Sequence, residues 1–167
     1  MRLMIDLETL GTKTNSVILS IGAVAFDENG IHDEFYCNVD LEGSLKHGFD
    51  IDADTLYWWL KQDKSAGEIL SSNRESIVAA MFDINLFIAN NYVDEVWANS
   101  PSFDLVMLKN AMEKVNKNPA WDFWVERDFR TFLSLTGAKR VYPDVAHNAL
   151  EDARAQAQTL INYWASR

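Results

Sequence analysis

A mixed α/β domain, its five-stranded sheet flanked by helices, is expected from three features of this chain. Apolar residues near the N-terminus alternate with polar or acidic ones, two longer strand-like runs follow across a hairpin signal, and from residue 52 onward helical spacing takes over with short strands between. The chain has 167 residues, of which 48% are apolar and six are Trp. That is enough for one core, so a single domain over 1–167 is predicted. No internal repeat, low-complexity segment or linker interrupts it.

Leu3, Ile5 and Leu7 alternate with Met4, Asp6 and Glu8, which reads as a first strand with one apolar face. Val17 to Phe26 is a second, longer strand. Asn29-Gly30 is a hairpin signal, and Phe35 to Val39 reads as the returning strand, so the opening is an antiparallel meander. Asp52 or Asp54 can cap a helix containing Leu56, Trp59 and Leu60. A second amphipathic stretch carries Ile77, Met81, Ile84, Leu86 and Ile88 and ends near Asn90-Asn91. Val93 to Asn99 is a short strand. Ser100-Pro101 then supplies a cap and a first-turn proline for a helix with Leu105, Leu108 and Met112. Phe123-Trp124-Val125 reads as a last strand, and 128–135 as a short helix before Gly137. Asn148-Ala149-Leu150-Glu151 resembles a capping box opening a helix that runs to about Trp164.

Composition removes several function classes. The single Cys37 excludes an internal disulfide, and with no cysteine cluster a structural zinc site is not expected, which suits a reducing, cytoplasmic setting. The N-terminus meets Asp6 after only a few apolar residues, so neither a signal peptide nor a membrane span is expected there. Fifteen Lys and Arg against twenty-five Asp and Glu leave a formal charge of −10. That sign argues against a general nucleic-acid coat, which must neutralise phosphates. A nuclease escapes the objection only if bound divalent cations reverse the sign locally and the footprint is short.

Asp6 and Glu8 leave the same strand face about 7 Å apart, close enough to share or bracket cations. Two acids on an otherwise apolar strand are costly unless cations or hydrogen bonds satisfy them. Asp40-Leu41-Glu42 repeats the same spacing where the chain reads as a strand end running into a Gly43 turn, so the pair is not specific by itself. Asp104 falls in the first turn of its helix, where the macrodipole stabilises any acid. If the strand from Val93 runs parallel to the first strand, however, Asp104 faces Asp6 and Glu8 across one crevice. His147 precedes the cap Asn148 and is free to swing, as a base must be, whereas Asp152 is anchored inside the first turn. His32 and His47 have no such company and read as ordinary surface or loop residues.

Together, Asp-x-Glu-Thr at the N-terminus, an isolated Asp at a strand-to-helix turn, and His-x-x-x-x-Asp are far more specific than any one of them. The carrying segments are Met4-Ile5-Asp6-Leu7-Glu8-Thr9, Ser102-Phe103-Asp104 and His147 through Ala153. On these residues the chain resembles the DEDDh exonucleases of the RNase H-like superfamily. Thr55-Leu56-Tyr57-Trp58-Trp59-Leu60 and the short length look most like the phage exonuclease A and exonuclease VIII branch and its small bacterial exoribonuclease relatives.

The resemblance implies an RNase H-like fold and a 3′-to-5′ exonuclease acting on single-stranded or overhanging DNA or RNA 3′ ends, with nucleoside 5′-monophosphates as products. It implies two divalent cations, Mg²⁺ or Mn²⁺, one held by Asp6, Glu8 and Asp152, the other by Asp6 with Asp104 through water. His147 is then the general base, and Glu8, Thr9 and Leu10 meet the terminal ribose and base. Leu10-Gly11 departs from the Thr-Gly of many relatives. Trp58 and Trp59 point about 100° apart on a helix, so at most one can stack on a base. Trp59 is the candidate substrate contact, with core packing as the ordinary alternative. Arg127 and Arg130 can meet a phosphate or be solvated charges. A homodimer is carried over from relatives, with no membrane partner. The alternatives are an exoribonuclease trimming RNA 3′ ends and, from another class, a catalytically silent RNase H-like interaction module.

Overall fold

The computed structural model describes residues 1–62 and 73–167. Strand β1 (Arg2–Thr9) pairs antiparallel with β2 (Ile18–Asp27), which pairs antiparallel with β3 (Gly30–Val39). The expected meander is present, but β3 begins at the turn itself, so the returning strand is ten residues long. Helices α1 (Leu41–Lys46) and α2 (Ala53–Trp59) follow, then a two-residue strand β4 (Arg74–Glu75) and helix α3 (Ile77–Asn90). Next come β5 (Glu95–Ala98), α4 (Asp104–Lys114), a 3₁₀ turn (Phe123–Val125), β6 (Glu126–Asp128), α5 (Phe129–Thr136) and α6 (Ala149–Ala165).

Among the described residues the sheet runs β4-β3-β2-β1-β5-β6, with β5 parallel to β1, β6 parallel to β5 and β4 parallel to β3. Four of the five expected strands are present, the fifth is displaced to Glu126–Asp128, and a sixth, short edge strand β4 joins them. The period of two in β1 divides its side chains between two layers. Leu3, Ile5 and Leu7 enter a large core shared with Ile77, Met81 and Ile84 of α3 and Leu105, Leu108 and Met112 of α4. Met4, with Val24 and Phe26 of β2, packs on the other face against Phe129 of α5 and Ala153, Ala157 and Leu160 of α6.

Four local expectations are corrected. Asp40-Leu41-Glu42 is not a strand end: the Asp40 carboxylate accepts the Gly43 N–H at 2.6 Å and caps α1. Ser100-Pro101 opens a turn rather than a helix. The helix begins at Asp104 with Phe103 as its cap residue, and the Ser100 hydroxyl faces that of Ser102. Phe123-Trp124-Val125 is a 3₁₀ turn with two exposed aromatics, and the strand is the adjacent Glu126–Asp128. Elsewhere the cap signals hold: Asp52 rather than Asp54 caps α2, Gly137 ends α5 at φ +66°, and Asn148 accepts the N–H groups of Leu150 and Glu151. Glu151 pairs with Arg154 instead of completing a capping box.

Candidate active site

Beyond Met4, the same face of β1 carries Asp6 and then Glu8 toward the C-terminal end of the strand. Because β5 runs parallel to β1, with Ile5 opposite Ala98, the turn that follows β5 opens at the same sheet edge and delivers Asp104 there. Gly22 lies opposite Asp6 in β2. A Cβ at that position would stand 2.2 Å from the Ala149 carbonyl carbon and 2.3 Å from the Leu150 nitrogen. Only glycine lets the first turn of α6 rest directly on the sheet. That contact brings Asp152, one turn into α6, over β1.

The result is a cluster in which one carboxylate oxygen from each of Asp6, Glu8 and Asp152 lies within 4.8 Å of the others. The four acids share a cavity of about 350 Å³, also lined by Asn99, Ser100, Phe103, Arg130, Arg140, His147 and Gln156. Asp104 is buried, with its carboxylate accepting the Ser100 N–H at 3.3 Å. Gln156, one turn after Asp152 on the same face of α6, donates to Asp6 at 2.8 Å. Sequence reasoning missed Gln156, although its spacing of four from Asp152 is the signal that marks it.

Burial, followed by repulsion from Asp104, Glu8 and Asp152, pushes the Asp6 carboxyl well above the usual carboxylate range. Burial and the charges of Asp152 and Asp104 push Glu8 up to about 8. Asp104 rises to about 6 by burial, held back by the backbone N–H groups of Ser100, Asp104 and Leu7 and by the Arg130 charge. Asp152 is raised by burial, against the pull of His147. Among the described residues no lysine or arginine forms an ion pair with any of the four. A hard divalent cation fits this donor set of carboxylate oxygens, without thiol, and would relieve the repulsion. The side-chain oxygens of Asn99 and Gln156, buried in the same cavity without a protein partner, are acceptors suited to such an ion's water shell.

His147 stands at the rim with φ +62°, and its ring meets Trp58 edge-on at 4.8 Å and Trp59 at 6.2 Å. The two indoles have opposite fates. Trp59 is buried and donates to the Thr9 carbonyl at 2.9 Å, whereas Trp58 keeps 42% of its surface exposed. Thr9 and Leu10 are buried too, and the Thr9 hydroxyl donates to Gly11 O. These three expected contacts thus form a bracket behind Glu8, and the open aromatic face belongs to Trp58. Arg127 is turned away from the site, 3.6 Å from Glu95, while Arg130 lines it. His47 bonds to Gly43 O and His32 pairs with Asp27, both away from the acids.

A profile described as the 3′-5′ exoribonuclease Rv2179c-like domain matches residues 1–164. The chain belongs to this family. It is a 3′-to-5′ exonuclease, a hydrolase acting on nucleic acid. That assignment sets aside the silent interaction module. This exonuclease is 23% identical over 157 residues to an exodeoxyribonuclease of Enterobacteria phage T4, covering 77% of the present chain and 68% of the phage protein. Among solved structures, E. coli Exonuclease I in complex with a dT13 oligonucleotide gives a TM-score of 0.64 at 14% identity, over 97% of this exonuclease and 39% of that chain. The nuclease domain of 3′hExo, a DEDDh family member bound to rAMP, gives 0.60 at 10% identity over 98% and 91%. Exonuclease X in complex with 5′ overhanging duplex DNA gives 0.55 at 16% identity over 99% and 92%. At such identities the likeness carries the fold, which is RNase H-like. No helix among the described residues is long and apolar enough to cross a membrane.

Proposed function

We propose that this exonuclease removes nucleotides one at a time from single-stranded or overhanging 3′ ends with two divalent cations, Mg²⁺ or Mn²⁺, releasing nucleoside 5′-monophosphates. The observation that carries this reading is the convergence of Asp6, Glu8 and Asp152 within 4.8 Å, with Asp104 in the same cavity. Asp6, Glu8 and Asp152 would hold one ion, and Asp6 with Asp104 the other. When bound, the pair supplies charge stabilisation for the attacking and leaving oxygens of an in-line displacement.

The chain's own residues do the rest. Gln156 orients the Asp6 carboxylate through its amide N–H. His147 takes the proton of the attacking water and passes it to solvent. Trp58 offers an open π face to the terminal base, and Thr9, Leu10 and Trp59 stiffen the segment behind Glu8. RNA is the substrate that the family description favours.

The test is digestion of matched 5′-labelled DNA and RNA oligonucleotides, single-stranded and with 3′ overhangs, in Mn²⁺ and in chelator. A ladder shortening from the 3′ end, abolished reversibly by chelator, is expected. Cutting of a circular single strand would show an endonuclease and overturn the proposal.

A further inference from the structure

Arg130 and Arg140 line the acid cavity, and they differ from three arginines elsewhere around the sheet. Arg2 pairs with Glu28 and Glu95, Arg127 with Glu95, and Arg154 with Glu34 and Glu151. Neither Arg130 nor Arg140 forms an ion pair among the described residues, and the Arg140 Nε is buried without a hydrogen-bond partner. Arg74 and Arg167 likewise form no ion pair among the described residues, but neither lines the cavity.

The Arg140 guanidinium is nevertheless held in place, and the backbone that carries Arg130 is fixed. Phe129, fully buried, anchors the first turn of α5 next to Arg130, and Asp128 caps that turn. The Arg140 guanidinium lies over the same Phe129 ring at 5.7 Å and over Tyr142 at 5.6 Å. Phe129 thus packs under the Arg140 guanidinium and fixes the turn that carries Arg130, and in the cavity Arg130 pulls on Asp104 and Arg140 on Asp152. A planar guanidinium left unpaired at a site for nucleic acid matches a phosphate bidentately.

The side of the cavity decides which phosphate. Trp58 and Trp59 pack against His147, which lines it, and Trp59 is bonded to Thr9 at the end of β1. Arg130 enters from α5, which follows β6 at the outer edge of the sheet. A terminal nucleoside seated by Glu8 and Trp58 leaves the opposite side to the strand that continues in the 5′ direction.

Resting on the exonuclease reading above, we propose that Arg130 and Arg140 form a subsite for the phosphodiester immediately 5′ of the scissile one. The pair then selects an oligonucleotide with a charged second linkage over a shorter or neutral end.

The test compares the first cleavage of a 5′-labelled oligonucleotide with that of the same sequence carrying a neutral methylphosphonate directly 5′ of the scissile linkage. The neutral linkage should cost the wild-type enzyme about 10-fold or more in kcat/KM, chiefly through KM, as expected for losing hydrogen bonds to a charged group. In Arg130→Ala and in Arg140→Gln that penalty should shrink to about twofold, and the salt dependence of kcat/KM on single strands should flatten by about 0.7 in log–log slope per lost contact. Arg130 is exposed at the rim, so its variant tests the subsite even if Arg140→Gln folds poorly. A wild-type enzyme indifferent to the neutral linkage, or variants that keep the full penalty, would overturn the subsite while leaving the exonuclease reading intact. Failure to digest the all-phosphodiester substrate with Mn²⁺ would instead overturn the exonuclease reading, and the subsite with it.

Discussion

His147 adopts a left-handed backbone conformation, φ +62°, one position before the cap of α6. Histidine tolerates that region better than branched residues do, but the geometry still carries strain that surrounding contacts must hold. Here Trp58 and Trp59 flank the ring. The imidazole is thus separate from the carboxylate cluster yet confined at its rim, which divides the two roles. His147→Ala should slow turnover by about 10²- to 10⁴-fold, the usual cost of a lost general base, while leaving Mn²⁺ affinity nearly unchanged. Asp152→Ala should lose the metal along with the rate. Calorimetric titration of both variants checks this, and a His147→Ala protein that no longer takes up Mn²⁺ would make the histidine a ligand or a support instead.

The element on which the site depends is α6. Its alanines 149, 153 and 157 recur every four residues on the face toward the sheet, and Gly22 removes the last obstacle beneath the first turn. Gly22→Ala places a methyl group against backbone atoms that have no rotamer to give way. The helix must lift, so we expect a stability loss of about 1–3 kcal/mol, the usual cost of overpacking. Since Asp152 and Gln156 ride on the same helix, Mn²⁺ affinity should fall together with stability. Urea unfolding and metal titration on one preparation check both. A variant that loses stability but binds Mn²⁺ like the parent would show that the helix position and the acid cluster are not coupled.

Across the whole molecule, the clustered acids make folding sensitive to pH. Glu8 rises from its ordinary 4.5 to about 8, and Asp104 from 3.8 to about 6, on folding. Between the unfolded and folded values the native state binds more protons than the unfolded chain, so unfolding free energy falls as pH rises. The metal-free protein should therefore lose stability steadily from pH 4.5 toward about 8, with the Asp104 part spent by about 6. A divalent cation binds the deprotonated native cluster and should flatten the slope. Thermal melts over this range, with chelator and with Mn²⁺, measure it. A metal-free melting temperature that climbs over that interval would contradict the burial of the acids.

How much of this was legible beforehand follows the range of the interactions involved. The β1 alternation, the Asn29-Gly30 turn, the Gly137 stop and the Asn148 cap were readable because each depends on neighbours a few residues apart. The spacing of Asp6, Glu8, His147 and Asp152 was readable as a chemical pattern for the same reason. Short apolar runs were not: Phe123-Trp124-Val125 has strand-like residues, yet the sheet takes up Glu126–Asp128, since pairing with β5 chooses the register. Nor was the division of labour between Trp58 and Trp59, which depends on a hydrogen bond across fifty residues to Thr9. The parallel pairing of β1 with β5, the seating of α6 on Gly22, the bond from Gln156 to Asp6 and the unpaired Arg130 and Arg140 are all contacts between distant segments. Local periodicity carries no record of such contacts, because they exist only once the sheet order has brought those segments together.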